Sequence, residues 1–548
     1  MASDKTLPSA EITSAPTPSK AQYLSGWKLG IVILSLFLGV FVISLDSSII
    51  GVVIPSISSH FQALDDVAWY GSAYLLTITA FQPLYGSMYK YFNVEVIFRT
   101  CLVVFEVGSI LCAAAVSSRM FIVGRAIAGM GAAGILQGAL SIISMTVVME
   151  KRPLYQGVVI SVFVISVCIG PVIGGAFTTH GIWRWCFWIN VPIGAITFVL
   201  LIFVLRIQGS KNKNRSLAVS EKLRRLDPIG CLVFMAAVCC LLLALQWGGQ
   251  TKPWRSATVI GLFTGAGLLL ILFVLIQIWR GEDALIPLRV LRQRSIWTGG
   301  GVLFCLGAAT YAVTYYMPFY FQATKGTNAI QSGVDLIAVF LPEMVALIAT
   351  SGIVTQWGHY VPYMIVGELI CVAGTVLISR VQTDSPRIFW AAALVVHGTG
   401  MGVAMQLPYT AVNLVLHDDD IPTGNAIAVF LWQLGGALAI AIGQTIALNN
   451  ILHEVPLQVP ELSPERVMSW GAANLAALAP SADALHKLRE IWCTSVSHVM
   501  LFAVGCVCAS VLCTCGMEPL NAKRVAQQRE QAVDEEEDGV STANGTKP

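Results

Sequence analysis

The stretch FIVGRAIAGMGAAGILQGAL, residues 121–140, decides the fold class. An apolar run of about 20 residues is the length that crosses the hydrocarbon core of a bilayer as a helix. Arg125 interrupts it, and a guanidinium in lipid is tolerated only where it faces a partner or a wet interior. The small residues Gly129, Gly131, Ala132, Ala133 and Gly134 let a neighbouring helix approach closely. The run is therefore one span of a helix bundle rather than a lone anchor.

A second charge inside an apolar run is Asp46, in FVISLDSSII, residues 41–50. Counted from the outer ends of their spans, Asp46 and Arg125 lie about 9 and about 5 residues deep, so at 1.5 Å per residue their depths differ by roughly 6 Å. They are expected to share one site. A permanently charged Arg beside an Asp whose proton comes and goes is a coupling device, since the Asp holds its proton less firmly when the Arg is near. The plain alternative is a static ion pair that fixes helix packing.

Composition points the same way over the whole chain. Of 548 residues, 56% are hydrophobic and only 12% charged, and the mean hydropathy is +0.72, whereas about a quarter of residues in a soluble protein are charged. The expected class is all-α: a polytopic membrane protein in the lipid bilayer. A net charge of +2 gives no argument for a nucleic-acid partner. The 14 cysteines lie mostly in apolar runs and show neither a disulfide framework nor zinc spacing. Cys513 and Cys515, at the inner end of the last run, read as plain membrane cysteines, with palmitoylation the alternative.

Fourteen apolar runs are expected to cross the membrane, the first about 28–55 and the last about 495–516. On the side shared by the termini fall 22 of the 33 basic residues, so both termini are expected to be cytosolic. The chain divides into a polar tail (1–27), a six-helix bundle (28–206), a basic linker (207–227) and two additional helices (228–279). An amphipathic loop (280–295), a second six-helix bundle (296–516, with an outer loop at 449–494) and an acidic, disordered tail (517–548) complete it. The outer loop contains GAANLAALAPSADALHKLREIW, which could lie at the interface as a helix. The glycosylation matches at Asn214 and Asn544 fall on the cytosolic side and read as chance.

Helix 5 reads GVVISVFVISVCIGPVIGGAF, with Gly157, Gly170, Pro171, Gly174 and Gly175. Gly170 and Gly174 share one face, and Pro171 removes a backbone donor. The pattern suits a tight contact between two moving bundles, with static packing the alternative.

Taken in order, LDSSIIGVVIP, RAIAGMGAA, GPVIGG and WRWCFWINVPIG resemble the major facilitator superfamily, in particular its fourteen-helix drug:proton antiporters and fungal toxin efflux pumps. DVAWYGSAYLLT, YYMPFYFQATKGTNAIQSGVD and TGNAIAVFLWQLGGALAIAIGQ agree with it. The resemblance implies two six-helix bundles around a central cavity that opens alternately to either side. By it, GPVIGG is the antiporter motif, Arg125 belongs to a motif linked to proton transfer, and Asp46 matches the acidic position of helix 1. Two departures stand out. The loop GSMYKYFNVEVIF carries Lys90 where the family usually has Asp, which puts its usual gating contact in doubt, and Ser166 replaces a common Gly.

Further carboxylates near mid-span are Glu106, Glu343 and Glu368. Glu343 ranks first for substrate contact, because its helix matches a cavity-lining one and Pro342 should disturb the backbone there; structural hydrogen bonds are the alternative for Glu106 and Glu368. Gln137, Gln322, Gln406, Asn425 and Gln433, with Trp69, Tyr74, Phe430 and Trp432, are candidates for a pocket suited to a bulky, mostly apolar, oxygen-rich compound.

The expected function is proton-coupled efflux of a small amphipathic toxin, secondary metabolite or drug by a monomer in the plasma membrane, with a vacuolar membrane also fitting. Asp46 and Arg125 would couple the proton. No cofactor or metal is implied, and no phosphate-binding loop points to ATP. The rival within transporters is uptake of an iron chelate or nutrient. A rival of another class, a membrane prenyltransferase using Asp418 to Asp420, lacks the second acidic cluster needed to share metal ions, and a passive channel would not need the two buried charges.

Overall fold

The computed structural model describes residues 24–63, 66–204, 218–249, 252–470, 475–529 and 531. These residues are almost entirely helical. The first bundle holds α1 (Gly26–Phe61), α2 (Val67–Tyr91), α3 (Val94–Ala113), α4 (Ser118–Thr146), α5 (Arg152–Ile160), α6 (Val162–Thr179), α7 (Trp185–Trp188) and α8 (Asn190–Val204). After α9 (Val219–Arg225) come the additional pair α10 (Pro228–Trp247) and α11 (Ala257–Arg280), then the short α12 (Leu288–Leu291). The second bundle begins with α13 (Arg294–Lys325), α14 (Ala329–Asp335), α15 (Ile337–Trp357), α16 (Val361–Ser379) and α17 (Arg387–Ala404). It closes with α18 (Leu407–Val415), α19 (Ile421–Gln458), α20 (Pro464–Trp470), α21 (Leu475–Leu478) and α22 (Ala482–Cys515).

Among the described residues, thirteen helical segments are long and apolar enough to cross a membrane. The run expected at 67–89 is the helix α2, whose Ser, Thr and Gln side chains keep it out of that set. Polar side chains start several of the spans. Asn93 accepts from Glu95 N at 2.9 Å and Ser481 from Ala484 N at 3.2 Å, satisfying backbone donors that lipid would leave bare. Glycine ends others: Gly326 and Gly358 follow α13 and α15 at φ of +66° and +81°, a region open to residues without Cβ.

Within the first bundle, α3 packs on α4 so closely that a Cβ at Gly131 would collide with the Phe105 backbone nitrogen, and one at Gly108 with that of Ala128. The second bundle builds a separate core from α13, α15, α16, α17 and α22, with Leu306, Phe321, Met364 and Met500 buried in it. The additional pair leans on the seam between the bundles. Phe234 of α10 meets Phe430 of α19 edge-on at 5.1 Å, and Trp247 meets Trp69 of α2 at 6.1 Å. Beyond it, α11 turns Leu268, Ile271, Val274, Leu275 and Ile278 outward, as a lipid-facing helix should.

Several local expectations change. The helix expected over 155–179 is interrupted at Ser161, between α5 and α6, and runs straight through Pro171. The likewise continuous α15 carries Pro342, and the break falls before it at Leu336. The interfacial helix expected in the outer loop does not stand alone: Ala482–Trp492 is the first part of α22, and α19 likewise extends outward to Gln458. Residues 471–474 lie outside the described residues.

The segment expected to be a tail from 517 is packed as far as 529: Ala522 N donates to Gly358 O at 2.8 Å, and Arg529 Nη2 to Leu414 O at 2.7 Å. The remainder of that tail, the first 23 residues, linker residues 205–217 and the sites Asn214 and Asn544 are outside the described residues.

The α3–α4 contact yields a prediction. Gly131→Val must force two helix backbones apart and should destabilise the protein by about 3 kcal/mol. Gly265→Val, on α11 with nothing within 4 Å, should leave it unchanged. Thermal unfolding of the two variants in detergent measures the difference.

Candidate functional site: a buried ion pair and a polar seam

The charges at 46 and 125 meet. Arg125 Nη1 donates to Asp46 Oδ2 at 2.5 Å, and both residues are 1% exposed. Arg125 is held on two further sides, by Tyr70 O, which accepts from Nε at 2.9 Å, and by the Tyr74 ring, whose centroid lies 4.4 Å from the guanidinium carbon. Tyr74 is itself fixed by its hydroxyl, which donates to Ile43 O at 3.1 Å. The second carboxylate oxygen of Asp46 accepts from Asn190 Nδ2 at 3.3 Å, and the same nitrogen reaches Ser109 Oγ at 3.2 Å. Removing one member of such a pair leaves an uncompensated charge, at a cost of about 3–5 kcal/mol.

Glycines let the backbone come near this pair. A Cβ at Gly129 would collide with Tyr74 and Thr77, and one at Gly170 with Ser48, whose hydroxyl donates to Ser166 O at 2.8 Å. Gly174 touches Ile49 and Val53, and the Gly175 carbonyl accepts from Thr179. The antiporter-like face of α6 is thus laid mainly against α1, in its own bundle. Pro171 reaches across to Gly333 of α14, and Val164, Val167 and Cys168 of the same helix pack against the core of the second bundle.

The two bundles meet through polar groups at the end of the molecule where residue 24 and residue 529 both lie. Lys90 Nζ at the end of α2 pairs with Asp420 Oδ1 at 2.9 Å. Asp420 also receives Arg289, on the short helix α12, at 2.9 Å, and Arg152 of α5 reaches Asp418 at 3.5 Å. The acidic run of residues 418–420 is therefore clamped by cations from three segments.

Just inside this layer, Gln137 Nε2 donates to Pro422 O at 2.5 Å. Gln156 Oε1 accepts from Gln406 at 3.2 Å and from Asn413 at 3.4 Å. Gly157 faces Ser351, and Gly86 faces Ala426. Many of these amides keep one atom unpaired: Gln137 Oε1, Gln156 Nε2, Gln406 Oε1, Asn413 Oδ1 and both ends of Gln82 and Asn425.

The pocket candidates separate into groups. Tyr74, Trp432, Gln433 and Glu343 lie toward the centre. Trp432 packs against the cores of both bundles, Gln433 accepts from Tyr311 at 2.7 Å, and Glu343 is buried on α15. Gln322 is half-buried on α13. Gln137, Gln406 and Asn425 belong instead to the closed seam. Trp69 and Phe430 do not join the centre, because the rings of α10 draw them to the additional pair. Glu368 accepts from Thr514 at 2.7 Å, whereas neither oxygen of Glu106 has a hydrogen-bond partner.

Sequence reasoning missed Asn190, Gln156, Arg152 and Arg289. Asn190 was visible as the one amide in WRWCFWINVPIG, but nothing in the string pairs it with Asp46. Among the described residues, no group of three or more His, Cys, Asp or Glu could hold a metal ion.

Comparison with known proteins agrees with this architecture. The family model "Major Facilitator Superfamily" matches residues 36–440. The MFS-type transporter astH of Aspergillus oryzae is 38% identical over 487 residues, 89% of this chain and 86% of that protein. The efflux pump aflT of Aspergillus parasiticus is 38% identical over 505 residues, 92% and 98% of the two chains. Among solved structures, the proton:xylose symporter XylE superposes with a TM-score of 0.54 at 14% identity, over 87% of this chain and 94% of that one; this likeness shows the fold. With its two helix bundles, its buried ion pair and the family match over most of its length, this chain belongs to the major facilitator superfamily of membrane transporters.

Proposed function

We propose that this protein is a proton-coupled exporter of a small amphipathic organic compound, a fungal secondary metabolite, toxin or drug, working as a monomer in the plasma membrane. The observation that carries the reading is the buried Asp46–Arg125 pair together with a seam that closes one end of the molecule. The export direction is supported by relatives that are named efflux pumps. One proton moving inward yields about 2.3 kcal/mol per 100 mV and about 1.4 kcal/mol per pH unit, enough to sustain a gradient of the exported compound.

In this reading the end closed by Lys90, Asp420 and Arg289 is the cytosolic one. Asp46 is tied to Arg125 in this closed state, which matches a carrier that has released its cargo outward and awaits a proton. Protonation of Asp46 removes the charge that Arg125 balances and frees α1 relative to α4. The seam then opens at small cost, since its half-paired amides exchange protein partners for water. Lys90 takes the place of the family's usual Asp by reversing the polarity of the gate, with Asp420 as its counter-charge.

Two results are expected. In inside-out vesicles with an acid interior, labelled amphipathic compounds should accumulate through the natural protein and fall at least about tenfold, to background, through Asp46→Asn. Gradient-independent equilibration through both forms would instead mean facilitated diffusion, and accumulation with the opposite gradient would mean uptake. For the gate, Lys90→Glu sets a like charge against Asp420 and should shift the balance toward the open form by about 1–2 kcal/mol, five- to thirtyfold. The labelling rate of a cysteine at Ser351, in a background without native cysteines, reads that shift from the cytosolic side; an unchanged rate would remove the ion pair from the gate.

A further inference from the structure

Glu106 stands apart from the other mid-span carboxyls. It lies on α3 against α8, and both of its oxygens are buried with no hydrogen-bond partner. Gly194 makes the room, since a Cβ there would collide with Glu106 Oε1. One turn further along α3 is Ser109, and one turn back along α8 from Gly194 is Asn190. Asn190 Nδ2 joins Ser109 Oγ to Asp46 Oδ1, while Asn190 Oδ1 is buried with no donor. A carboxyl without partners and an amide oxygen without a donor therefore belong to levels of the α3–α8 contact one helical turn apart. The amide already touches the coupling aspartate.

We propose that Glu106 is a second proton-binding group of the transport cycle, coupled to Asp46 through Asn190. The inference rests on the proton-coupled reading above and deepens it. An ionised carboxylate without donors is costly inside a membrane, whereas a carboxylic acid has one O–H to give, and Asn190 Oδ1 is an acceptor that lacks one. A change of the Glu106 side-chain rotamer brings the two together. Asn190 acts here as a positioning residue, since its amide then accepts from Glu106 with one end and donates to Asp46 with the other.

The charged and titratable groups facing this seam are few. They are Asp46 on α1, Tyr74 on α2, Arg125 on α4, and the thiols of Cys112 on α3 and Cys186 on α7, while α8 supplies none. Two ionised carboxylates side by side repel, so Glu106 keeps its proton while Asp46 is ionised and tied to Arg125. When Asp46 takes a proton, Arg125 loses its tie to α1 and the site has gained one proton. Raising the pH takes that proton from Asp46 first, and the O–H proton of Glu106 leaves to water only at higher pH.

Infrared difference spectroscopy of the protein in lipid, titrated from acid to alkaline pH without substrate, tests this directly. The carbonyl stretch of a protonated carboxyl should titrate in the natural protein and vanish in Glu106→Gln. In Asp46→Asn and in Asn190→Ala, which keep Glu106, the midpoint of that band should move by about one pH unit, and it should stay in place in Glu368→Gln. A band insensitive to Glu106→Gln, or a midpoint indifferent to both Asp46 and Asn190, overturns the proposal. The shift in the two Glu106-containing variants keeps the test decisive if Glu106→Gln does not fold. Because no transport is measured, coupled bands in a protein that does not export against a gradient would refute the transport reading and leave the proton site standing.

Discussion

A guanidinium and a carboxylate buried together at mid-membrane are the constraint on which the rest of this structure depends. Neither ion is tolerable alone in lipid, so α1 and α4 must keep Asp46 and Arg125 within hydrogen-bond reach. Every neighbouring choice serves that demand. Gly129 lets α2 come close enough for Tyr74 to cover the guanidinium, Gly170 lets α6 close on Ser48 next to the aspartate, and the α8 terminus delivers Asn190. In the proposed cycle, neutralising the aspartate removes the electrostatic reason for this packing, and the staple becomes a switch.

The second element is the contrast between the interiors of the bundles and the seam between them. Each interior is apolar and interlocked, with glycine positions that admit no side chain. The seam at the terminal end is made of three ion pairs and a layer of amides satisfied at one atom and not at the other. Dry cores resist rearrangement, while polar layers with spare donors and acceptors can be wetted. The proposed cycle therefore opens the molecule between the bundles rather than within them.

What the sequence reveals follows from how local the information is. Single charges in apolar runs were legible, and so were the spans, because lipid makes each exceptional residue conspicuous by itself. The meeting of Lys90 with Asp420 was not, since the partners stand 330 residues apart and nothing in either string points to the other. The aromatic candidates divided for a similar reason: Trp69 and Trp432 look alike in a string, and only the placement of α10 turns one toward Trp247 and leaves the other between the bundles. Helix breaks misled too. Pro171 and Pro342 were the obvious breakers, yet both sit within continuous helices, and the interruptions fall at Ser161 and Leu336.

The central claim is that the charge on Asp46 decides whether the terminal seam is shut. Spin labels introduced as unnatural amino acids at the exposed positions Lys151 and His417, one on each bundle, report the width of that seam by electron–electron resonance in lipid. The account predicts a short distance at alkaline pH, a longer one at acid pH, and the longer one at both pH values in Asp46→Asn. Distances that follow pH identically with and without Asp46 would contradict it.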